Sequence, residues 1–267
     1  MMRLVAMCAV VTLWVLPAYA EDRIDRLAQA MNLSKYMEIL ASEGDTQRLE
    51  LDETLLDNTG GAFFEAQVAD IYDTVWMQAQ ITEALARGLT ETQLDQAALF
   101  FESDLGQTIV TLEYSARQAF SDQAIEDLAR DSYRSVARDS MRFELVKEYI
   151  EVNDLIDQNV QGALSYDYNF FKGLDHNSIR DDTDLLAELL EQQDSMTVET
   201  TTWLYSFLLM AYSPLDEAQM RENIAFSRTE TGQALNAALF DGFDRMFDGI
   251  SYRLGAAVAQ VLQGSDL

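Results

Sequence analysis

Beyond residue 20 the chain has no cysteine, its single one being Cys8. For a chain that loses those first 20 residues, this excludes disulfides, thiolate metal sites and thiol redox chemistry, and the 247 residues left are enough to hold together by burial alone. Histidine is as scarce. His176 stands alone in the polar run Asp175-His176-Asn177-Ser178, which suits an exposed loop and excludes His-based triads, H-E-x-x-H zinc sites and poly-His metal sites. Only Pro214 follows Pro17, and no stretch alternates apolar and polar residues for the length of a strand, so helix is the default. Cations are also few: 18 Lys and Arg face 46 Asp and Glu, a net charge of −28 that becomes −29 without Arg3. Such a surface is soluble and self-repelling, is driven away from nucleic acid and anionic lipid, and permits cations or basic partners.

Other signatures are absent too. After residue 20 there is no G-x-S-x-G, no glycine-rich phosphate loop and no Ser-x-x-Lys, so nucleophilic and nucleotide-dependent enzymes lose their usual markers. Asp175 to Asp184 lacks the glycine and glutamate of a calcium loop, with Arg180 and Leu186 at those places, and Asp241, Asp244 and Asp248 fail the same pattern.

The first 20 residues carry one cation, Arg3, an apolar run from Leu4 to Leu16, and Pro17-Ala18-Tyr19-Ala20 ahead of Glu21-Asp22. This is the pattern of a signal peptide cleaved after Ala20, and it directs the protein to the periplasm. The run is shorter than the ~20 residues that span a bilayer as a helix, so no stable membrane anchor is expected after cleavage.

Helices are expected over Arg23 to Met31, Lys35 to Ser42 and Ala62 to Arg87, the last set off by Gly60-Gly61, with one or two more between Asp122 and about Val160. Asn177 to Asp184 is the best loop. Leu105, Ile109, Leu112, Ala116 and Phe120 step by three or four, as do Leu235, Leu239, Phe243, Met246, Ile250 and Leu254, and mark buried helix faces. The apolar run Trp203 to Tyr212 is too short for a membrane and reads as a core helix hidden on all sides.

One phrase occurs twice, 126 residues apart: LTETQLDQAALFFESDLGQTIV from Leu89 and LDEAQMRENIAFSRTETGQALN from Leu215. Each copy opens as a helix N-terminus. Thr90 and Asp216 are N-caps, Gln93 and Gln219 close capping boxes, and Leu89/Leu94 and Leu215/Met220 are spaced as hydrophobic staples. About three turns on, Ser103 and Thr229 cap a second helix, with Asp104 and Glu230 in its first turn. Gly106 and Gly232 fall inside that turn, where glycine costs ~1 kcal/mol against alanine, which points to a close backbone approach. Phe100 and Phe226 are placed to fill the corner, and Gln107 and Gln233 to hydrogen-bond across it.

These residues resemble a family of bacterial secreted proteins, domain of unknown function 2059, marked by a helical hairpin with F-x-x-S-x-x-G-Q. Phe100, Ser103, Gly106 and Gln107 match in the first copy, and Phe226, Thr229, Gly232 and Gln233 in the second. Proline often follows the serine in that family, where this chain has Asp104 and Glu230. The resemblance implies a helical periplasmic protein and carries no catalytic or ligand residues over.

The expected fold is all-α, two tandem, related helical repeats (antiparallel helical hairpins) packed as a helical bundle, with residues 1–20 a signal peptide and the repeats over 21–140 and 141–267. The expected function is a non-enzymatic interaction or envelope-maintenance module, with no catalytic residue, cofactor or metal, and with an unknown protein or an apolar ligand as partner. One alternative is a binding protein for an apolar ligand or peptide, held in a groove lined by Trp203 to Tyr212 and methionines. The other is a carboxylate-dependent hydrolase of cell-wall material, which requires two acids converging in a cleft with a raised pKa on one.

Overall fold

The structure, a computed structural model, describes residues 18–175 and 181–265. The segment expected as a signal peptide, up to residue 17, and residues 176–180, with His176 and the first part of the stretch Asn177 to Asp184 expected as a loop, lie outside the described residues; the end of that stretch is helix instead, because Asp181 caps α10 at Asp182 by accepting from the Thr183 amide. Among those described, the chain forms thirteen helices and no strand. They are α1 (Ala18–Ala30), α2 (Leu33–Leu55), α3 (Gly61–Ile71), α4 (Thr74–Gly88), α5 (Glu91–Glu102), α6 (Asp104–Phe120) and α7 (Gln123–Ser135), followed by α8 (Met141–Val152), α9 (Leu155–Leu174), α10 (Asp182–Glu191), α11 (Gln193–Ala211), α12 (Glu217–Ser227) and α13 (Glu230–Ser265). The all-helical bundle expected from the sequence is what forms.

Where helices break, short polar residues decide. The single helix expected from Ala62 to Arg87 is two, because Asp73 caps α4 by accepting from the Trp76 amide at 2.7 Å. The stretch from Asp122 to Val160 holds α7, α8 and the start of α9. Ser140 caps α8, and the left-handed Asp154 turns the chain into α9. Asn32 makes the same left-handed turn between α1 and α2, with φ 52° against 51° at Asp154.

The bundle has two apolar cores, and neither follows the order of the chain. The larger gathers Leu27 to Ala98 from α1–α5 and closes on Leu235 to Val261 of α13. The second gathers Phe143 to Ile224 from α8, α11 and α12 and closes on Leu105, Ile109 and Ala116 of α6. The last helix of each repeated phrase therefore packs in the core begun by the other. This follows from the two corners: α6 leaves α5 after the single residue Ser103, and α13 leaves α12 after Arg228 and Thr229, so each swings out of the core of its predecessor.

The longest contact joins α9 to α13. Their backbones approach so closely that a Cβ at Gly173 would lie 2.0 Å from the Tyr252 carbonyl oxygen, and one at Gly255 2.1 Å from that of Phe170. Glycine at both places lets the pair run side by side over several turns, with Ser251 donating from its hydroxyl to the Tyr166 carbonyl.

Candidate functional site

The eight residues singled out in the repeated phrase form two corners built alike. At the first, the Ser103 hydroxyl donates to the Phe100 carbonyl at 2.6 Å and accepts from the Gly106 amide at 3.1 Å. At the second, Thr229 donates to the Phe226 carbonyl at 2.7 Å and accepts from the Gly232 amide at 3.0 Å. A Cβ at either glycine would lie 2.2 Å from the carbonyl oxygen of Phe100 or Phe226, so the close approach expected there is of the corner onto itself. Both capping boxes are formed: Thr90 with Gln93, and Asp216 with Gln219.

Gln107 and Gln233 do more than span their corners. The Gln107 side-chain amide donates to the Phe101 carbonyl at 2.5 Å and to that of Ala30, the last residue of α1, at 2.8 Å. Gln233 donates to the Ser227 carbonyl at 2.6 Å and to that of Val152, the last residue of α8, at 3.1 Å. Each glutamine thus satisfies a carbonyl left over at a helix end and ties its corner to the preceding left-handed turn. Phe100 and Phe226, expected to fill their own corners, lie on each other instead, with ring centroids 3.9 Å apart and planes 2° from parallel. The two corners meet through these rings.

Beneath that stack is a small hollow of about 140 Å³ bordered by Glu113, Tyr149, Asn153 and Asn223. Tyr212 donates its hydroxyl to Glu113, whose carboxyl is pushed up by burial. The Asn223 amide nitrogen is buried with no hydrogen-bond partner.

The groove expected along Trp203 to Tyr212 is filled with rings. Trp203 stacks on Phe207 at 5.1 Å with Phe120 edge-on to both, and Tyr205 is sandwiched between Tyr133 and Phe143, each at 5.2 Å. Trp203 borders an open hollow of about 430 Å³, beside Glu43, Gln47 and Glu50.

An aromatic cleft lies elsewhere, where α2, α9 and α13 converge beside α6, and has a volume of about 470 Å³. Its walls are aromatic: Tyr36 from α2, Tyr72 after α3, Tyr166 from α9, and Phe240, Phe243 and Phe247 from α13. Tyr36 meets Phe243 edge-on at 5.6 Å and Tyr166 meets Phe247 at 6.4 Å. Gln47 bridges two of the phenols, accepting from Tyr72 and donating to Tyr166, both at 2.6 Å. Burial raises Tyr36, Tyr72 and Tyr166, so these phenols stay protonated.

One cation faces the cleft, Arg117 of α6, and it is taken. Its guanidinium grips Glu43 through two bonds of 2.8 Å and lies 5.3 Å above the Tyr36 ring. Burial opposes the charge, and the Tyr36 hydroxyl and Glu43 carboxylate more than offset it, holding Arg117 above its usual range. Two carboxylates in the cleft, Asp167 and Asp244, have no hydrogen-bond or ion-pair partner among the described residues. Burial pushes Asp167 up; burial, then Asp248 and Asp241, push Asp244 up. No group of three or more His, Cys, Asp or Glu among the described residues is arranged to hold a metal ion.

The sequence does carry a sign of this cleft. The stretch Phe240-Asp241-Gly242-Phe243-Asp244 continues to Phe247-Asp248, so three Phe-Asp pairs fall on successive turns. Tested only as a calcium loop, the aspartates look like surface acids. Tertiary contacts separate them: Asp241 pairs with Arg87 at 3.1 Å and Arg245 at 2.9 Å, Asp248 accepts from Ser165 at 2.7 Å, and Asp244 is left facing the cleft.

These features define an all-helical protein with two like corners and, apart from them, an aromatic, acidic cleft. Residues 76–132, which run from α4 into α7, match the family model described as "Uncharacterized protein conserved in bacteria (DUF2059)". The resemblance drawn from Phe100, Ser103, Gly106 and Gln107 holds for that stretch, and the second copy lies outside the matched residues. No curated protein and no solved structure matches the chain.

Proposed function

We propose that the protein is a non-enzymatic binding module of the bacterial periplasm, exported by its N-terminal segment, whose ligand occupies the cleft between α2, α9 and α13. The observation that carries this reading is the cleft itself: six aromatic side chains border one hollow of about 470 Å³ at a seam between distant parts of the chain. Ligand pockets of about 300–1,000 Å³ with mostly apolar walls and a few placed polar groups have this make-up. The like corners, the paired left-handed turns and the exchange of α6 and α13 support a further part of the proposal, that the chain consists of two related halves. A seam between such halves is where a ligand would be enclosed from both sides.

A blocking variant tests the reading. A Cβ at Gly162 would meet only the Asp244 carboxylate, at 3.0 Å, so Gly162→Leu puts a side chain into the cleft without removing a core contact. Native mass spectrometry of the protein incubated with periplasmic extract is expected to show a small-molecule adduct that Gly162→Leu loses. An adduct that persists in the variant, or none from any extract fraction, refutes the reading.

A second reading has its own support. A carboxylate-dependent hydrolase needs two acids in a cleft with one pKa raised, and Asp167 and Asp244 both border the cleft with raised values. Release of soluble fragments from purified cell wall, lost in Asp167→Asn or Asp244→Asn, would establish it over the non-enzymatic proposal.

A further inference from the structure

The chemistry of the cleft narrows what it accepts, on the proposal that the cleft is the binding site. An anion finds no free cation there, because Arg117 is held by Glu43 on two bonds of 2.8 Å. It would also approach a chain of net charge −28. A bare metal ion finds no three acidic, histidine or cysteine ligands arranged to hold it among the described residues, Glu43 being tied to Arg117, and the space is far larger than one ion needs. A neutral ligand would leave both Asp167 and Asp244 partly desolvated without a partner, an arrangement that costs free energy. A positive group remains. It gains from the two carboxylates and from the aromatic wall of Phe240, Phe243 and Phe247, the Tyr36 ring being already taken by Arg117, and aromatic rings attract cations most strongly where water is thinned out.

We infer that the ligand is an organic cation, an ammonium or guanidinium group on an apolar body, with its charge beside Asp167 and Asp244 and its body against the aromatic wall. The volume excludes small inorganic ions as the natural occupant and suits a side-chain-sized or somewhat larger molecule. Gly162 contributes by leaving open the space beside Asp244 that any larger residue would enter.

Three probes of one shape test this on the full chain by isothermal titration calorimetry: phenylbutylammonium, phenylbutanol and phenylbutanoate. The ammonium is expected to bind at least roughly ten-fold more tightly than the alcohol, equivalent to about 1.4 kcal/mol, and the carboxylate not at all. Asp244→Asn and Asp167→Asn are each expected to weaken the ammonium several-fold and to bind the alcohol no less tightly, while Gly162→Leu abolishes both. Both Asn variants remove a partly desolvated carboxylate that has no partner among the described residues, so loss of folding does not confound them. Equal affinity for ammonium and alcohol, with both lost in Gly162→Leu, overturns the cation inference and leaves the cleft as the site. Binding that is unaffected by Gly162→Leu, or no binding of any probe, overturns the inference together with the cleft reading on which it rests.

Discussion

Alanine in place of Gly106 should destabilise the protein, although alanine is the better helix former by ~1 kcal/mol. The added Cβ would sit 2.2 Å from the Phe100 carbonyl oxygen and 2.6 Å from the Phe101 Cα, where ordinary contact begins at 3.4 Å. Both neighbours are backbone, so the relief cannot come from rotating a side chain. The corner has to open by about an ångström, which strains the Ser103 cap and the Gln107 bonds together. Overpacking of well-filled sites costs roughly 1–3 kcal/mol and more where the obstacle is rigid, so about 2–4 kcal/mol net is expected here. For a chain of this size that corresponds to a fall of roughly 5–12 °C in melting temperature. Gly232→Ala meets the Phe226 carbonyl oxygen at the same 2.2 Å and should cost a similar amount. Gly264→Ala is the control: nothing lies within 4 Å of its Cβ, so it should be neutral or slightly stabilising. Urea unfolding followed by circular dichroism measures all three. If Gly106→Ala behaves like Gly264→Ala, the close-approach account of the corner is wrong.

Gln107→Ala and Gln233→Ala each remove two side-chain bonds to backbone carbonyls and should each cost about 1–2 kcal/mol in the same assay; a loss below a few tenths at both would reduce the glutamines to surface residues. The Phe100/Phe226 stack predicts a double-mutant-cycle coupling of about 0.5–1.5 kcal/mol between alanine substitutions, and strict additivity would show that the corners do not communicate through it. Asp167, Asp244 and Glu113 hold their protons more tightly folded than unfolded, so their contribution to stability is complete below the ordinary carboxylate range and is lost as pH rises through their raised values. Melting temperature should therefore climb as pH falls from neutral toward the ordinary carboxylate range, before carboxylates held low by arginine, Glu102 by Arg26 and Asp241 by Arg245, are protonated in turn. Asp244→Asn should raise the neutral-pH melting temperature and flatten the climb, and a steady fall from pH 7 in both proteins would contradict the assignment.

The corners were legible because everything that forms them lies within a few residues. A threonine or aspartate three places before a glutamine closes a capping box whatever the rest of the chain does, and Ser103 and Thr229 reach the amide three residues on in the same way. The second partner of Gln107 was not legible, because Ala30 is 77 residues away and comes within reach only once α1 packs on α5. Asp73 shows the limit at close range: it caps a helix with no punctuating glycine or proline beside it, so the break was hidden inside an apolar run. Trp203 to Tyr212 was legible as a helix with a core face but is not hidden on all sides: Leu204, Tyr205, Leu208 and Tyr212 are buried, while Trp203, Phe207, Leu209 and Met210 are only partly so. The rings that fill its surroundings come from α6, α7 and α8 and could not be named in advance.

The chain alone therefore settled helical class and the two matching corners with the helix starts that belong to them, all consequences of hydrogen bonds and rotamers that span less than a turn or two. It could not settle where α6 and α13 would go once they left those corners, and that choice made the cleft. The cleft brings Tyr36, Tyr166 and Phe243 together from three helices far apart in sequence, and it leaves Asp244 unpaired while Asp241 and Asp248 find partners. Three like aspartates in three like Phe-Asp pairs have the same local chemistry. Only the packing of one helix against its neighbours, a sum of many weak contacts over the whole bundle, distinguishes the one that faces the cleft.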